Sequence, residues 1–233
     1  MRSSKWHALG NTYVVVEPDE SGPLGPSHAR ELSRNADGVI EVVSAGDDEL
    51  EIVIWNPDGS QAELSGNGSR IAAAWLSERT GARSISVLVG SRKVAARVLE
   101  NGEIEQALGE VEVGPPEVLE GITFVPVSVA NPHAVVLGDP SEIERLGPLL
   151  ETHERFPNRT NVQVVRVDGP GEVTARVWER GVGETRSSGT SAVAVAAATH
   201  ADGDVLVHFP GGDLRVRLEG RRAYLTGPAE RVE

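Results

Sequence analysis

Two runs of small apolar residues stand out in the pattern of this chain. One is Ile71-Ala72-Ala73-Ala74-Trp75-Leu76, the other Ala192-Val193-Ala194-Val195-Ala196-Ala197-Ala198. A helix that is apolar on nearly every side is buried at the centre of its domain, so each run predicts a central helix, starting near Ser69 and Ser191. Both follow a polar, Gly-rich turn that contains a Ser-Gly step: Leu64-Ser65-Gly66-Asn67-Gly68-Ser69-Arg70 and the stretch from Glu179 to Thr190. Around the first run, β-branched or alternating segments predict strands at 12–16, 39–43, 49–55 and 84–89. Strands at 93–99 and 103–108 join through Asn101-Gly102, a strong hairpin signal. Around the second run, strands are expected at 122–129, 134–137, 161–167 and 173–178, with a closing hairpin through Gly211-Gly212. Two short helices are predicted, 27–34 capped by Ser27 and 140–150 capped by Ser141, and a turn-rich loop at 18–26.

The second half thus repeats the plan of the first. Val113-Gly114-Pro115-Pro116 breaks the pattern between them. It divides the chain into 1–115 and 116–233, with the last strand free to return to the first part. The expected class is α+β: two pseudo-symmetric domains, each a curved, mostly antiparallel sheet wrapped around a central apolar helix. A length of 233 residues supplies ample core for this. The formal charge of -13 argues against nucleic acid or an anionic membrane as partner. No apolar run is long enough for a spanning helix, and residues 1–6 lack the apolar core of a signal peptide, so a cytoplasmic location is expected. Cys 0 excludes disulfides, thiolate catalysis and cysteine metal sites. His7, His28, His153, His200 and His208 show no ligand spacing, and no metal site is read.

The two Ser-Gly turns carry the candidate chemistry. Free N–H groups and the positive dipole end at a helix N-terminus favour a carboxylate or phosphate. Two such termini point to two half-sites for one anionic ligand. The bland reading of Ser65 and Ser188 is helix capping, for which serine is a leading residue; capping and site membership are compatible. His133, Glu179 and Arg180 have ordinary alternatives as a turn residue, a strand-end carboxylate and an ion-pair partner. Asn11, Asn56, Asn131 and Asn161 flank strands, where asparagine is a common turn residue.

At these residues the chain resembles the diaminopimelate epimerase family, pyridoxal-independent amino-acid epimerases. Gly66-Asn67-Gly68 with Arg70, and Glu179 through Thr185 with Gly189-Thr190, match its two signature turns. Lys5 through Asn11, Asn56-Pro57-Asp58-Gly59-Ser60, Asn131-Pro132-His133, Phe156-Pro157, Asn161-Val162, Phe209-Pro210-Gly211-Gly212 and Thr226-Gly227-Pro228-Ala229 follow in the family's order. The resemblance implies an active site in a cleft between two similar domains, a homodimer, a small amino-acid substrate and no cofactor. It places acid/base residues at Ser65 and Ser188, with His133 and Glu179 as their partners. Substrate contacts fall on Asn11, Asn56, Gly66, Asn67, Asn131, Asn161, Arg180, Gly189 and Thr190.

The departures are as specific. The family has cysteine at the positions of Ser65 and Ser188, and the segment 33–38 is a shortened form of a longer Gly-rich stretch. Inverting an α-carbon needs a base on one face and an acid on the other. A free thiol ionises near pH 8.5, whereas a water-like hydroxyl ionises roughly 7 units higher. A relay through His133 would avoid a free alkoxide. Three readings stay open: an epimerase that works through serine, an inactive or engineered form that keeps the ligand pocket, and a different isomerase or dehydratase on the same fold.

Overall fold

The computed structural model describes residues 2–17, 22–62 and 64–232. The loop expected at 18–26 falls outside the described residues over 18–21. The chain forms two compact units, Met1–Ala107 with Thr226–Glu233, and Leu108–Leu225. The break at 113–116 joins two short strands inside the second unit.

The first unit starts with β1 (Ser3–Ala8) and β2 (Asn11–Val16), then α1 (Pro26–Leu32), β3 (Gly38–Ala45) and β4 (Glu49–Trp55). Helix α2 (Gly66–Thr80), β5 (Ser84–Val89), β6 (Arg92–Val98) and β7 (Ile104–Glu110) follow, β7 belonging to the second unit from Leu108 on. From β1 to β6 the pairings run antiparallel, parallel, antiparallel, parallel, antiparallel. The two parallel crossovers contain α1 and α2.

The second unit contains β8 (Glu112–Val113), β9 (Glu117–Leu119), β10 (Ile122–Ser128), β11 (Pro132–Leu137), α3 (Ile143–Glu151) and β12 (Asn161–Gly169). Then come β13 (Glu172–Glu179), β14 (Gly183–Thr185), α4 (Gly189–Thr199), β15 (Gly203–Phe209), β16 (Gly212–Glu219) and β17 (Arg222–Gly227). A last strand, β18 (Glu230–Arg231), pairs with β1 of the first unit, to which its residues belong. Along β10, β11, β12, β13, β15 and β16 the alternation is the same as in the first unit. The crossovers now hold α3 and α4. The echo in the sequence is therefore one topology used twice, and the architecture is α+β.

The central helices owe their positions to the pattern that predicts them. In α2 every residue from Gly66 to Ala73, with Trp75 and Leu76, is buried; in α4 every residue from Gly189 to Ala196 is. Helix α2 packs against all six strands β1 to β6, and α4 against β10 to β13, β15 and β16. Small side chains let the sheet close around each helix: a Cβ on Gly68 would lie 3.0 Å from Ile54 Cδ1. The helices start at Gly66 and Gly189, ahead of the expected Ser69 and Ser191, because Ser65 and Ser188 themselves take the extended N-cap conformation.

Two other caps differ from the sequence reading. Gly25, not Ser27, heads α1, since Pro26 supplies the fixed φ of a first helical position. Asp139, not Ser141, caps the turn before α3: its carboxylate accepts the Ser141 N–H at 2.9 Å. A core of Phe124, Val136, Leu146, Leu150, Phe156 and Val164 binds α3 to its sheet. Gly147 makes this possible, because a Cβ there would sit 2.6 Å from the Trp178 ring.

Candidate active site

In the first unit the site is built on the N-terminus of α2. Ser65 Oγ accepts the Gly68 N–H at 3.0 Å and lies 3.2 Å from the Tyr13 hydroxyl. Behind the turn, the guanidinium of Arg70 is fully buried. It donates to Asn67 Oδ1 at 2.7 Å, Pro228 O at 3.3 Å and Gly66 O at 3.4 Å. Burial holds its pKa down to about 10, with Tyr13 acting against that fall. Gln106, also buried, meets Ser69 Oγ at 2.7 Å. The amide orientation that satisfies all its neighbours donates to Gly66 O at 3.0 Å and accepts from the Arg70 N–H at 2.9 Å. Asn67 is thus held by Arg70, and the first turn of α2 by a buried polar network.

In the second unit Ser188 heads α4 and is buried, with no hydrogen bond from its side chain to the helix. Its orphan N–H donors, with those of Gly189 and Thr190, retain their capacity for an anion. Glu179, at the end of β13, accepts the Thr185 hydroxyl. The turn after Glu179 is fastened from outside. Glu151 accepts Gly181 N–H at 2.7 Å and Trp178 Nε1–H at 2.7 Å, and pairs with Arg159 at 3.3 Å. Burial opposes the charge on Glu151, but these bonds prevail and hold its pKa below the usual carboxylate range.

His133 lies in β11, buried, with both ring nitrogens engaged: Nε2 is 2.8 Å from Asn131 Oδ1 and Nδ1 is 3.0 Å from Gln163 Nε2. Burial pushes the pKa of His133 down to about 3; the Gln163 bond resists this and the nearby Arg180 charge adds to it. Burial thus favours the neutral imidazole, which is held between Asn131 and Gln163. Gln163 Nε2 also reaches Ser191 Oγ at 2.9 Å in the first turn of α4. A cavity of about 480 Å³ in this unit is lined in part by Ser128, Asn131, His133, Arg155 and Phe156.

Asn161 is committed to the chain: Nδ2 donates to Pro132 O and Oδ1 accepts the Arg180 N–H, both at 3.0 Å. Asn56 donates to Ser60 Oγ at 2.9 Å in a closed turn. Asn11 and Asn131 follow sharp hairpin turns. Leu9, Ala130 and Arg159, three of the described non-glycine residues with positive φ (51°, 62° and 60°), each precede one of these asparagines by one or two positions. Such backbone is strained and persists where the surroundings enforce it. Arg180 is half-buried, with Nη1 3.4 Å from Asn158 O.

Sequence reading missed Tyr13, Gln106, Gln163, Ser191 and Glu151. Gln163 and Gln106 carry a signal in hindsight, each a neutral polar residue at an inward position of its strand. Glu151 carries none, since Trp178 and Gly181, which it holds, lie 27 and 30 residues away along the chain.

A duplicated α+β unit, each copy presenting a serine at the head of a buried helix, defines a two-unit protein with two helix N-termini of the kind that favours anionic groups. The diaminopimelate epimerase family model matches residues 3–118 and 125–232, one stretch in each half, and the chain belongs to that family. Diaminopimelate epimerase of Desulforudis audaxviator is 35% identical over 272 aligned positions, covering 100% of this chain and 97% of the relative. The enzyme of Carboxydothermus hydrogenoformans is 33% identical with the same coverage. Among solved structures, a predicted epimerase from Pseudomonas aeruginosa superposes with a TM-score of 0.74 at 17% identity, covering 100% of this chain and 97% of the other. A phenazine biosynthesis protein of the PhzF family from Bacillus anthracis gives 0.75 at 15%, covering 100% and 98%. These likenesses establish the fold. Among the described residues no helix is long and apolar enough to cross a membrane, and no group of three or more acidic or histidine side chains is arranged to hold a metal.

Proposed function

We propose that this chain is an amino-acid epimerase that interconverts LL- and meso-diaminopimelate without pyridoxal, with Ser65 and Ser188 at the acid/base positions. The observation that carries the reading is that both serines occupy the N-caps of the two central helices, within the family's signature turns. Membership of the family supports the substrate class. The N–H groups of Gly66 and Asn67 in one unit, and of Gly189 and Thr190 in the other, are the candidate donors to substrate carboxylate oxygens, with Asn11, Asn131 and Arg180 on its remaining polar groups. Asn56 and Asn161 shape the turns around it.

The proton chemistry follows from the helix termini. One serine removes the α-proton on one face while the other delivers a proton on the opposite face, and the roles exchange in the reverse reaction. The helix dipoles stabilise the charge that develops on the carboxylate and on the oxygens. His133 acts by orienting Asn131 rather than as the base, for its ring is neutral and doubly bonded. The family resemblance supports a homodimer in the cytoplasm, which sedimentation and fractionation test. The activity is tested by incubating the protein with LL-diaminopimelate and resolving the isomers chromatographically. Formation of the meso isomer is the expected result; LL-diaminopimelate recovered unchanged, or a dehydrated product, overturns the reading.

A further inference from the structure

We propose that Tyr13 is a positioning residue for Ser65 and carries the exchangeable proton of that face of the site. The inference rests on the reading of Ser65 as an acid/base residue and extends it. Tyr13 is the third residue of β2, nearly buried, with its hydroxyl 3.2 Å from Ser65 Oγ. The ring is fixed in place. It lies over Gly38 of the neighbouring β3, where a Cβ would come within 2.7 Å of Tyr13 Cε1. Ser65 Oγ already accepts the Gly68 N–H at 3.0 Å, so its own proton is available to donate towards Tyr13.

The second observation is Arg70. Its buried guanidinium bonds to the carbonyl oxygens of Gly66 and Pro228 and to the amide of Asn67. Among the described residues it forms no ion pair with a carboxylate, and its charge interacts favourably with Tyr13. A buried cation without a carboxylate stabilises a phenolate beside it. This gives the serine face what serine lacks, since a phenol ionises near pH 10, far below a water-like hydroxyl.

The step balances as follows. The substrate Cα–H bond breaks and its proton passes to Ser65 Oγ. The proton already on Ser65 passes to the ionised Tyr13 oxygen. The electron pair left on carbon takes a proton from the acid on the opposite face. One proton has entered at Tyr13 and one has left the other face, and exchange with solvent restores both. No oxidant or cofactor is required.

The test exploits composition. The chain has Tyr 2, Tyr13 and Tyr224. In a Tyr224→Phe background, ultraviolet titration of tyrosinate absorbance therefore reports Tyr13 alone. Ser65→Ala in that background removes a donor to the phenolate and is expected to raise the ionisation midpoint by about half a pH unit or more. Tyr13→Phe keeps the ring on Gly38. It is expected to lower α-proton exchange with diaminopimelate by about tenfold or more, with calorimetric Kd within about twofold, and to abolish the alkaline rise in the exchange rate. A midpoint unmoved by Ser65→Ala, or a folded Tyr13→Phe protein with parental rate and pH profile, overturns the proposal. If the parent shows no exchange, the epimerase reading falls, and the titration alone decides whether Tyr13 and Ser65 are coupled.

Discussion

Replacing both serines by cysteine probes what the helix termini are built to do. Ser65→Cys with Ser188→Cys changes one atom at each N-cap and leaves the surrounding turns in place. A partly buried helix terminus favours a negative charge by up to about 2 kcal/mol, roughly 1.5 pH units of ionisation. A thiol starting near 8.5 then ionises near pH 7, and a water-like hydroxyl still ionises far above that, by roughly 7 units. At neutral pH about half the thiol is anionic, against on the order of one part in ten million of the hydroxyl. The weaker basicity of the thiolate offsets part of this. With a Brønsted slope of about 0.5, the net advantage per face is on the order of a thousandfold over a free alkoxide. The Tyr13 relay narrows the difference at residue 65, so the measured gain is expected to be about tenfold or more, largest in the double variant because inversion uses both faces. The larger sulfur meets a tight turn: a Cβ on Gly68 would lie 3.4 Å from Ser65 Oγ. A stability cost of about 1 kcal/mol is expected and is read by thermal melts. Epimerisation rates of the parent, both single variants and the double variant decide the matter. A folded double-cysteine protein that binds diaminopimelate with no gain in rate would refute the reasoning.

Two further predictions concern the groups behind the site. Glu151→Gln weakens the bonds to Trp178, Gly181 and Arg159; we expect a loss of about 1–3 kcal/mol in urea unfolding, and weaker ligand binding through the loosened Arg180 turn. Unchanged stability and affinity would show that the turn is held elsewhere. His133 has a folded pKa depressed to about 3, so its contribution is complete above the unfolded value near 6.5 and is lost as pH falls from there towards 3. Denaturation at successive pH values should show a slope of up to about 1.4 kcal/mol per pH unit in that window, absent in His133→Asn. Equal slopes for both proteins would place the titrating group elsewhere.

The parts of the fold legible in the sequence are those set by local pattern. An all-apolar run names a central helix whatever surrounds it, and Asn101-Gly102 names its turn. The strand alternation around Leu50, Ile52 and Ile54 holds because one face meets α2. Caps were less legible, since several residues compete for each. Pro26 displaced Ser27, and Asp139 reached the N–H of the very serine expected to cap. The resemblance of the two signature turns to the family is what singles out Ser65, Ser188 and their neighbours; spacing by itself marks them as helix caps, which they are. Long-range polar partners were beyond such reading. Tyr13 and Ser65 meet through sheet register rather than sequence spacing, and Gln163 joins His133 to α4 across a strand pair. The burial of His133 and its two neutral partners are likewise set by tertiary packing.

The most direct test of the central claim is deuterium uptake at the α-carbon of diaminopimelate by the unmodified protein in deuterated water. If Ser65 and Ser188 serve opposite faces, deuterium enters the α-position from both LL- and meso-diaminopimelate, and each single alanine variant loses most of the uptake. Uptake that survives Ser65→Ala and Ser188→Ala, or no uptake by a parent protein that binds the ligand, would contradict the account.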